Sequence, residues 1–273
     1  MKEGAPLSRD PTSGAQSDSQ HSLPLTVPTL GHTCRLIREE RGFTRDTAAA
    51  HLSVSRSYLA DIERNRRTPT EAFLDHIIIG YDLDPITARH LRELRATAVD
   101  LEPTAVLREA VTTNTALMAH LHQRSDLAAY VDSAWTVLAC NDAFQAAALG
   151  LGPGKLMPVW IFSDTAKKIL PNWPHEADLT TAIVRGIAGR YRDSEQVQTL
   201  FHHLRPVTEF QNRWNDGVHT AYGRDPSDLT EVHHPVTGRT ASYSLTLTAQ
   251  SENVFLLILS EQPTRPPDPT ETK

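Results

Sequence analysis

The tightest constraint in this chain is a three-residue turn, Ser53-Val54-Ser55, set between two short helical patterns. So brief a turn fixes the angle at which the two helices cross and obliges them to bury the faces they share. Upstream, Thr44 is placed to cap a helix whose run Thr47-Ala48-Ala49-Ala50-His51-Leu52 is small and apolar, which lets a second helix approach closely. Downstream, Ser55 caps a helix with Tyr58, Leu59 and Ile62 inward, and Val54 fills the angle between the pair. Asn65 then stands where a left-handed C-cap is wanted. Before this pair, Leu30, Cys34, Ile37 and Arg41 keep helical spacing and Gly42 stops the helix. After it, Ala72, Phe73, Ile77 and Ile78 mark a fourth helix, and Asp84-Pro85 opens a fifth with Ala88, Leu91 and Leu94 inward. Residues 29–97 are therefore expected to form a small all-α helix-turn-helix domain.

Charge says what such a domain is for. The whole chain carries −6, but Thr29 to Thr70 holds eight arginines against five acids, a local +3. A DNA-binding surface needs only that local field. The second helix of the pair is expected to present Arg56, Ser57, Ala60, Asp61 and Arg64 outward. Arg56, near its N-terminus, has two readings: two donors on guanine O6 and N7, or a grip on phosphate. Arg45, Arg66 and Arg67 are placed for phosphates, so the candidate DNA contacts are Arg45, Ser55, Arg56, Ser57, Arg64, Arg66 and Arg67. The partner is double-stranded DNA.

The flanks read differently. Residues 1–28, rich in Pro, Ser, Gly and Gln, and residues 262–273, rich in Pro and Thr, are poor in bulky apolar groups and are expected to be a disordered arm and tail. Residues 98–127 read as a helical connector, with one long helical run from Pro103 to Arg124. Residues 128–261 alternate helices and strands. Trp135 to Cys140 reads as a strand, Asn141-Asp142 as a helix cap, and Gly150 to Pro158 as a loop; helices follow near 163–170, 176–190, 194–204 and 206–214. Three strands close the region at 229–233, 240–248 and 253–260, the first two joined by a hairpin turn at Pro235-Val236-Thr237-Gly238. A sheet of this kind buries one face against helices and leaves room between them for a ligand. The candidate lining residues are Trp135, Trp160, Phe162, Trp173, Phe201, Phe210, Trp214 and Tyr243, each of which is also a natural core residue.

Several classes of chemistry find no support. His202-His203, His219 and His233-His234 lack ligand spacing, and Cys34 and Cys140 match no metal or redox motif, so no metal or cofactor is expected. The chain has no Gly-x-Ser-x-Gly, no phosphate loop and no dinucleotide fingerprint, which argues against an enzyme. Neither an apolar run of membrane length nor a secretory h-region stands out, so a cytoplasmic protein that does not enter membranes is expected.

Residues 30–67, LGHTCRLIREERGFTRDTAAAHLSVSRSYLADIERNRR, resemble the repressor-type helix-turn-helix of the Xre and lambda-repressor superfamily. The chain departs from that pattern at Arg45, Ser53 and Asn65, where the superfamily favours an amide and two glycines. Glu63, at the superfamily's usual acidic position, is expected to pair with an arginine inside the domain. Farther on, Ala129-Tyr130-Val131, WTVLACNDAF (135–144), FSDTAKKILPNW (162–173), GRYRDSEQVQTLFHHL (189–204), TEFQNRW (208–214) and HHPVTGRTASYSLTL (233–247) resemble, in order, the ligand-binding domain of MmyB-like transcription regulators. The resemblance implies an α/β PAS-like fold, a homodimer on an imperfect palindrome, and a pocket for a small apolar or acyl-chain molecule. The family often has basic residues before its His-Pro, whereas Leu229-Thr230-Glu231-Val232 precede His233-His234-Pro235 here, which weakens any anionic-ligand contact at that point. The expected control is ligand binding that reorients the DNA-binding domains through residues 98–127. The rival is a C-terminal domain with a filled core that only dimerises or contacts another protein. A cavity between sheet and helices separates the two.

Overall fold

The structure, a computed structural model, describes residues 26–263. The expected arm and tail lie outside the described residues, apart from their innermost few. Five helices come first: α1 (Leu30–Glu40), α2 (Arg45–His51), α3 (Arg56–Glu63), α4 (Glu71–Gly80) and α5 (Pro85–Arg95). Each opens on a side-chain cap, from Thr29, Thr44, Ser55, Thr70 and Asp84 in turn, which satisfies amides that have no partner inside the helix. The turns are left-handed where the pattern required: φ is 74° at Gly42, 51° at Ser53 and 54° at Asn65. Cys34, Ile37, Leu52, Leu59, Leu74, Ile77 and Leu91 form the core of this bundle.

The expected single connector helix is instead two helices, α6 (Thr104–Thr113) and α7 (Thr115–His122). Asn114 breaks it. Its backbone is extended at ψ 101°, and its side-chain oxygen accepts from the amides of Ala116 and Leu117, so it ends one helix by capping the next. The two helices do not stand free between domains. Leu107, Val111 and Leu121 pack onto Tyr130, Leu138 and Leu256 of the sheet.

The second domain is a mixed α/β unit around a five-stranded antiparallel sheet in the order β2-β1-β5-β4-β3, with β1 (Leu127–Asp132), β2 (Val137–Cys140), β3 (Thr230–His233), β4 (Thr240–Ala249) and β5 (Val254–Gln262). Strand β1 was not legible as a strand, because it is covered on both faces and shows no polar alternation. Ala128 and Tyr130 face α6 and α7, while Ala129 and Val131 face the other way. Trp135, expected inside a strand, sits in the β1–β2 turn at φ 62°. The buried Asp132 carboxylate shapes that turn by accepting from the amides of Ala134 and Thr136. The opposite face is covered by α8 (Asp142–Ala147), α9 (Met157–Ile161), α10 (Asp164–Ile169), α11 (Trp173–Tyr191), α12 (Glu195–Leu204) and α13 (Thr208–Asn215). Helix α9 begins inside the segment expected to be loop; Pro158 at its start suits a first turn.

The two domains meet along α5 and α11. Gly189 allows the close approach: a Cβ there would lie 2.6 Å from Nδ1 of His90, which is buried. Around this contact Arg192 donates to the carbonyls of Glu93 and Ala96, the amide of Val99 donates to Arg190, and Tyr222 donates to Glu93 at 2.5 Å. The guanidinium of Arg89 stacks 3.6 Å from the Tyr222 ring centre. Val218, far along the chain, completes the core of the first domain.

Candidate functional site

Helix α3 is held from behind by buried charge. The Glu63 carboxylate, 1% exposed, takes Arg38 Nε at 2.6 Å and Arg45 Nη2 at 2.8 Å. Arg38 also donates to the carbonyl of Phe43, so one acid ties α1, the turn after it, α2 and α3 together. The pairing expected for Glu63 is present, and it moves Arg45: rather than reaching out toward phosphate, Arg45 clamps α2 to α3. Asn65 supplies what a glycine in its place would lack. Its side chain accepts from the amide of Gly31 at 2.8 Å and donates to Thr29 at 2.9 Å, fixing the end of α3 to the start of α1.

The front of α3 is open. Arg56, Ser57, Arg64, Arg66 and Arg67 are all exposed with the second domain in place, and Ser55 is exposed as the cap. Ala60, expected to point outward, is buried, because the positions of Leu59, Ala60, Ile62 and Glu63 make up the inward face. Arg56 lies 2.8 Å from Asp46, but both side chains are more than 60% exposed, so that pair holds it weakly. Arg67 rests over the Tyr58 ring at 5.3 Å. Four exposed arginines thus lie on α3 or within four residues of its end.

In the second domain a cavity of about 110 Å³ opens between the sheet and helices α8 to α11. Its walls are mainly aliphatic, with Leu127, Leu245, Leu257 and Leu259 from the sheet and Leu151 and Ile183 opposite. Of the eight aromatic candidates, Trp135 and Trp160 line it. The other six do not. Phe162, Trp173, Phe201, Phe210 and Trp214 stack on one another behind the wall, with ring centres 5.2–6.2 Å apart, and Tyr243 is buried with them in the core. The rings are broad enough to fill the wide space among α10 to α13, so the aliphatic residues are left to face the cavity.

The cavity has one polar end, which the sequence reading missed. Glu176 and Arg224 line it together and form a buried ion pair, and Thr180 and Thr230 also line the cavity. Burial raises the Glu176 carboxyl above its ordinary range and Arg224 opposes that rise. A signal was available in the spacing of Glu176, Thr180 and Ile183, which share one face of α11 at intervals of four and three. Arg224 had none, since it comes from an irregular segment 48 residues away.

The opposite face of α11 meets the first domain. There His90 of α5 is buried with no hydrogen-bond partner for either ring nitrogen, and burial together with Arg185 pushes it down to about 3. Arg185 is itself buried, donating to the carbonyls of His219 and Trp214 and stacking 4.7 Å over the Trp214 ring. Both cysteines are free thiols; the buried Cys34 is pushed up to about 12. Among the described residues no three His, Cys, Asp or Glu side chains gather as a metal site, and no helix is long and apolar enough to cross a membrane.

Comparison with protein families matches residues 29–91 to a helix-turn-helix domain and residues 113–271 to the MmyB-like transcription regulator ligand binding domain. The second match begins at the end of α6 and takes in the whole sheet and the cavity. Both families are regulatory or ligand-binding, not catalytic. No curated protein matches the chain.

Proposed function

The chain belongs to the MmyB-like transcription regulators, Xre-type proteins that join a DNA-binding helix-turn-helix to a ligand-binding domain, and we propose that a small apolar or acyl-chain molecule in the cavity controls its grip on DNA. One observation carries this reading. Helix α11 is a wall of the cavity through Glu176, Leu179, Thr180 and Ile183, and two turns farther on it seats α5 of the helix-turn-helix domain through Gly189. A ligand that displaces α11 therefore displaces the DNA-binding domain without acting through α6 and α7, which pack on the far face of the sheet. The rival, a filled core used only for dimerisation, is disfavoured by the cavity itself.

On DNA, the reading is a homodimer with its two α3 helices in successive major grooves about 34 Å apart on an imperfect palindrome. Arg56 and Ser57 face base edges, while Arg64, Arg66 and Arg67 hold phosphates. Ligand-driven movement of α11 changes the spacing of the two α3 helices, and the coupling free energy is the difference in ligand affinity between the two arrangements. The test is fluorescence anisotropy of the purified chain on specific and scrambled duplexes. Replacing Arg56 with Ala is expected to cost about 1–3 kcal/mol of discrimination. An equal loss on both duplexes assigns Arg56 to phosphate, and an affinity that does not fall with salt overturns the electrostatic account of the α3 surface. Native mass spectrometry of the same sample reports the dimer and any released small molecule together; a protein that stays monomeric on DNA removes the palindrome.

A further inference from the structure

Resting on the reading of the cavity as a ligand site, we infer that its polar end selects an uncharged head group and rejects carboxylates. The favoured ligand is an aliphatic chain ending in a neutral acceptor such as an amide, an ester or an alcohol. Among the described residues lining the cavity, Arg224 is the one cation and Glu176 the one acid. Their side chains are 4% and 9% exposed. Arg224 Nη2 donates to Glu176, and Arg224 Nη1 lies 2.8 Å from Oδ2 of Asp228, which is also within 2.9 Å of His175 Nε2.

The single guanidinium is thus already shared between two carboxylates before any ligand arrives. A third carboxylate, brought in on an acyl chain, would lose its water in an apolar cavity and meet a site with no positive charge to spare. A neutral head pays a far smaller desolvation penalty. It also finds hydroxyl groups to pair with, since Thr180 of α11 and Thr230 of β3 line the cavity. Residues 229–232 add Glu231 but no base to this end of the sheet, in keeping with a head group that needs no counter-ion.

The experiment is isothermal titration calorimetry of the full chain at pH 7.5 with two probes of equal length, octanamide and octanoate. Octanamide is expected to bind at least about tenfold more tightly than octanoate. In E176Q, where Arg224 loses its strongest neutralising partner, octanoate is expected to gain about tenfold while octanamide changes by less than about threefold. D228N, altering a more exposed partner, is expected to shift octanoate in the same direction by a smaller factor, and it keeps the test alive if E176Q does not fold. Equal or tighter binding of octanoate by the natural chain overturns the inference, as does a preference that neither variant moves. Failure of both probes, and of octane as a headless control, overturns the cavity reading along with it; octane binding without octanamide leaves the cavity reading standing and overturns only the head-group assignment.

Discussion

Helices α3 and α11 carry the two proposed roles, reading and relay, and they are held in different ways. Helix α3 has eight residues, one face sunk into the bundle and the other open to solvent. Its position is fixed by a buried acid that serves two arginines. Helix α11 has nineteen residues and is buried along much of its length, with a cavity on one face and another domain on the other. Its buried ion pair sits near its N-terminal end, where Glu176 meets Arg224, while its seam with α5 is held by close packing at Gly189 and by hydrogen bonds to backbone carbonyls. The contrast suits the roles proposed for them, α3 as reader and α11 as relay. A reading helix must keep its outward side chains in register, and a triad that is costly to separate does that. A relay must shift by small amounts, and packed surfaces permit sliding that a buried charge triad resists.

The contrast breaks first at Glu63. Replacing it with Ala leaves the buried Arg38 with only the more exposed Glu39 as counter-charge, and about 3–5 kcal/mol of stability is expected to be lost. Urea denaturation measures this, and a loss below about 1 kcal/mol would mean that the triad does not hold α3. Acid tests the other helix. Neutral His90, pushed down to about 3 at the α5–α11 seam, must take up a proton on unfolding wherever the pH lies below its ordinary 6.5. The unfolded chain binds more protons in that window, so the contribution of His90 to stability is complete above pH 6.5, falls by roughly 5 kcal/mol as the pH drops toward 3, and levels off below it. His90→Phe keeps the ring and is expected to flatten that slope in melts recorded across the range.

A smaller change separates relay from reader. Gly189→Val places a side chain where His90 Nδ1 already sits and is expected to cost about 1–3 kcal/mol by overpacking. If α11 is the relay, the variant also uncouples ligand from DNA while its affinity for the ligand is kept; an unchanged ligand effect on duplex binding would return the coupling to another path. The smallest effect is expected at Asp46. Replacing it with Ala removes an exposed partner of Arg56, changes stability by less than about 0.5 kcal/mol, and raises DNA affinity slightly by freeing the guanidinium. A marked loss of DNA binding instead would show that Asp46 orients Arg56.

Much of the first domain was legible because its information is local. The caps at Thr44 and Ser55, the left-handed Ser53 and Asn65, and the inward stripe of Leu59 and Ile62 are each set within four residues of chain. The second domain yielded its hairpin and most of its helices for the same reason. It hid strand β1, which lies in the middle of the sheet and has no polar face to give it away, and it hid the break at Asn114, where a single side chain ends one helix and starts the next. The aromatic candidates misled for a related reason: bulk and apolarity are equally apt for core and cavity, and only the arrangement of α10 to α13 sent six of the eight away from the ligand space.

By itself the sequence determined a basic helix-turn-helix within an acidic chain, and an α/β domain after it, because capping, turn chemistry and periodicity act over a few residues. Tertiary structure alone decided that Arg45 faces inward to Glu63, that Arg224 crosses 48 residues to meet Glu176 at a cavity, and that α11 serves both that cavity and the DNA-binding domain. Each is a meeting of residues far apart in the chain, and what a buried charge or a glycine does there depends on which partner the fold brings against it.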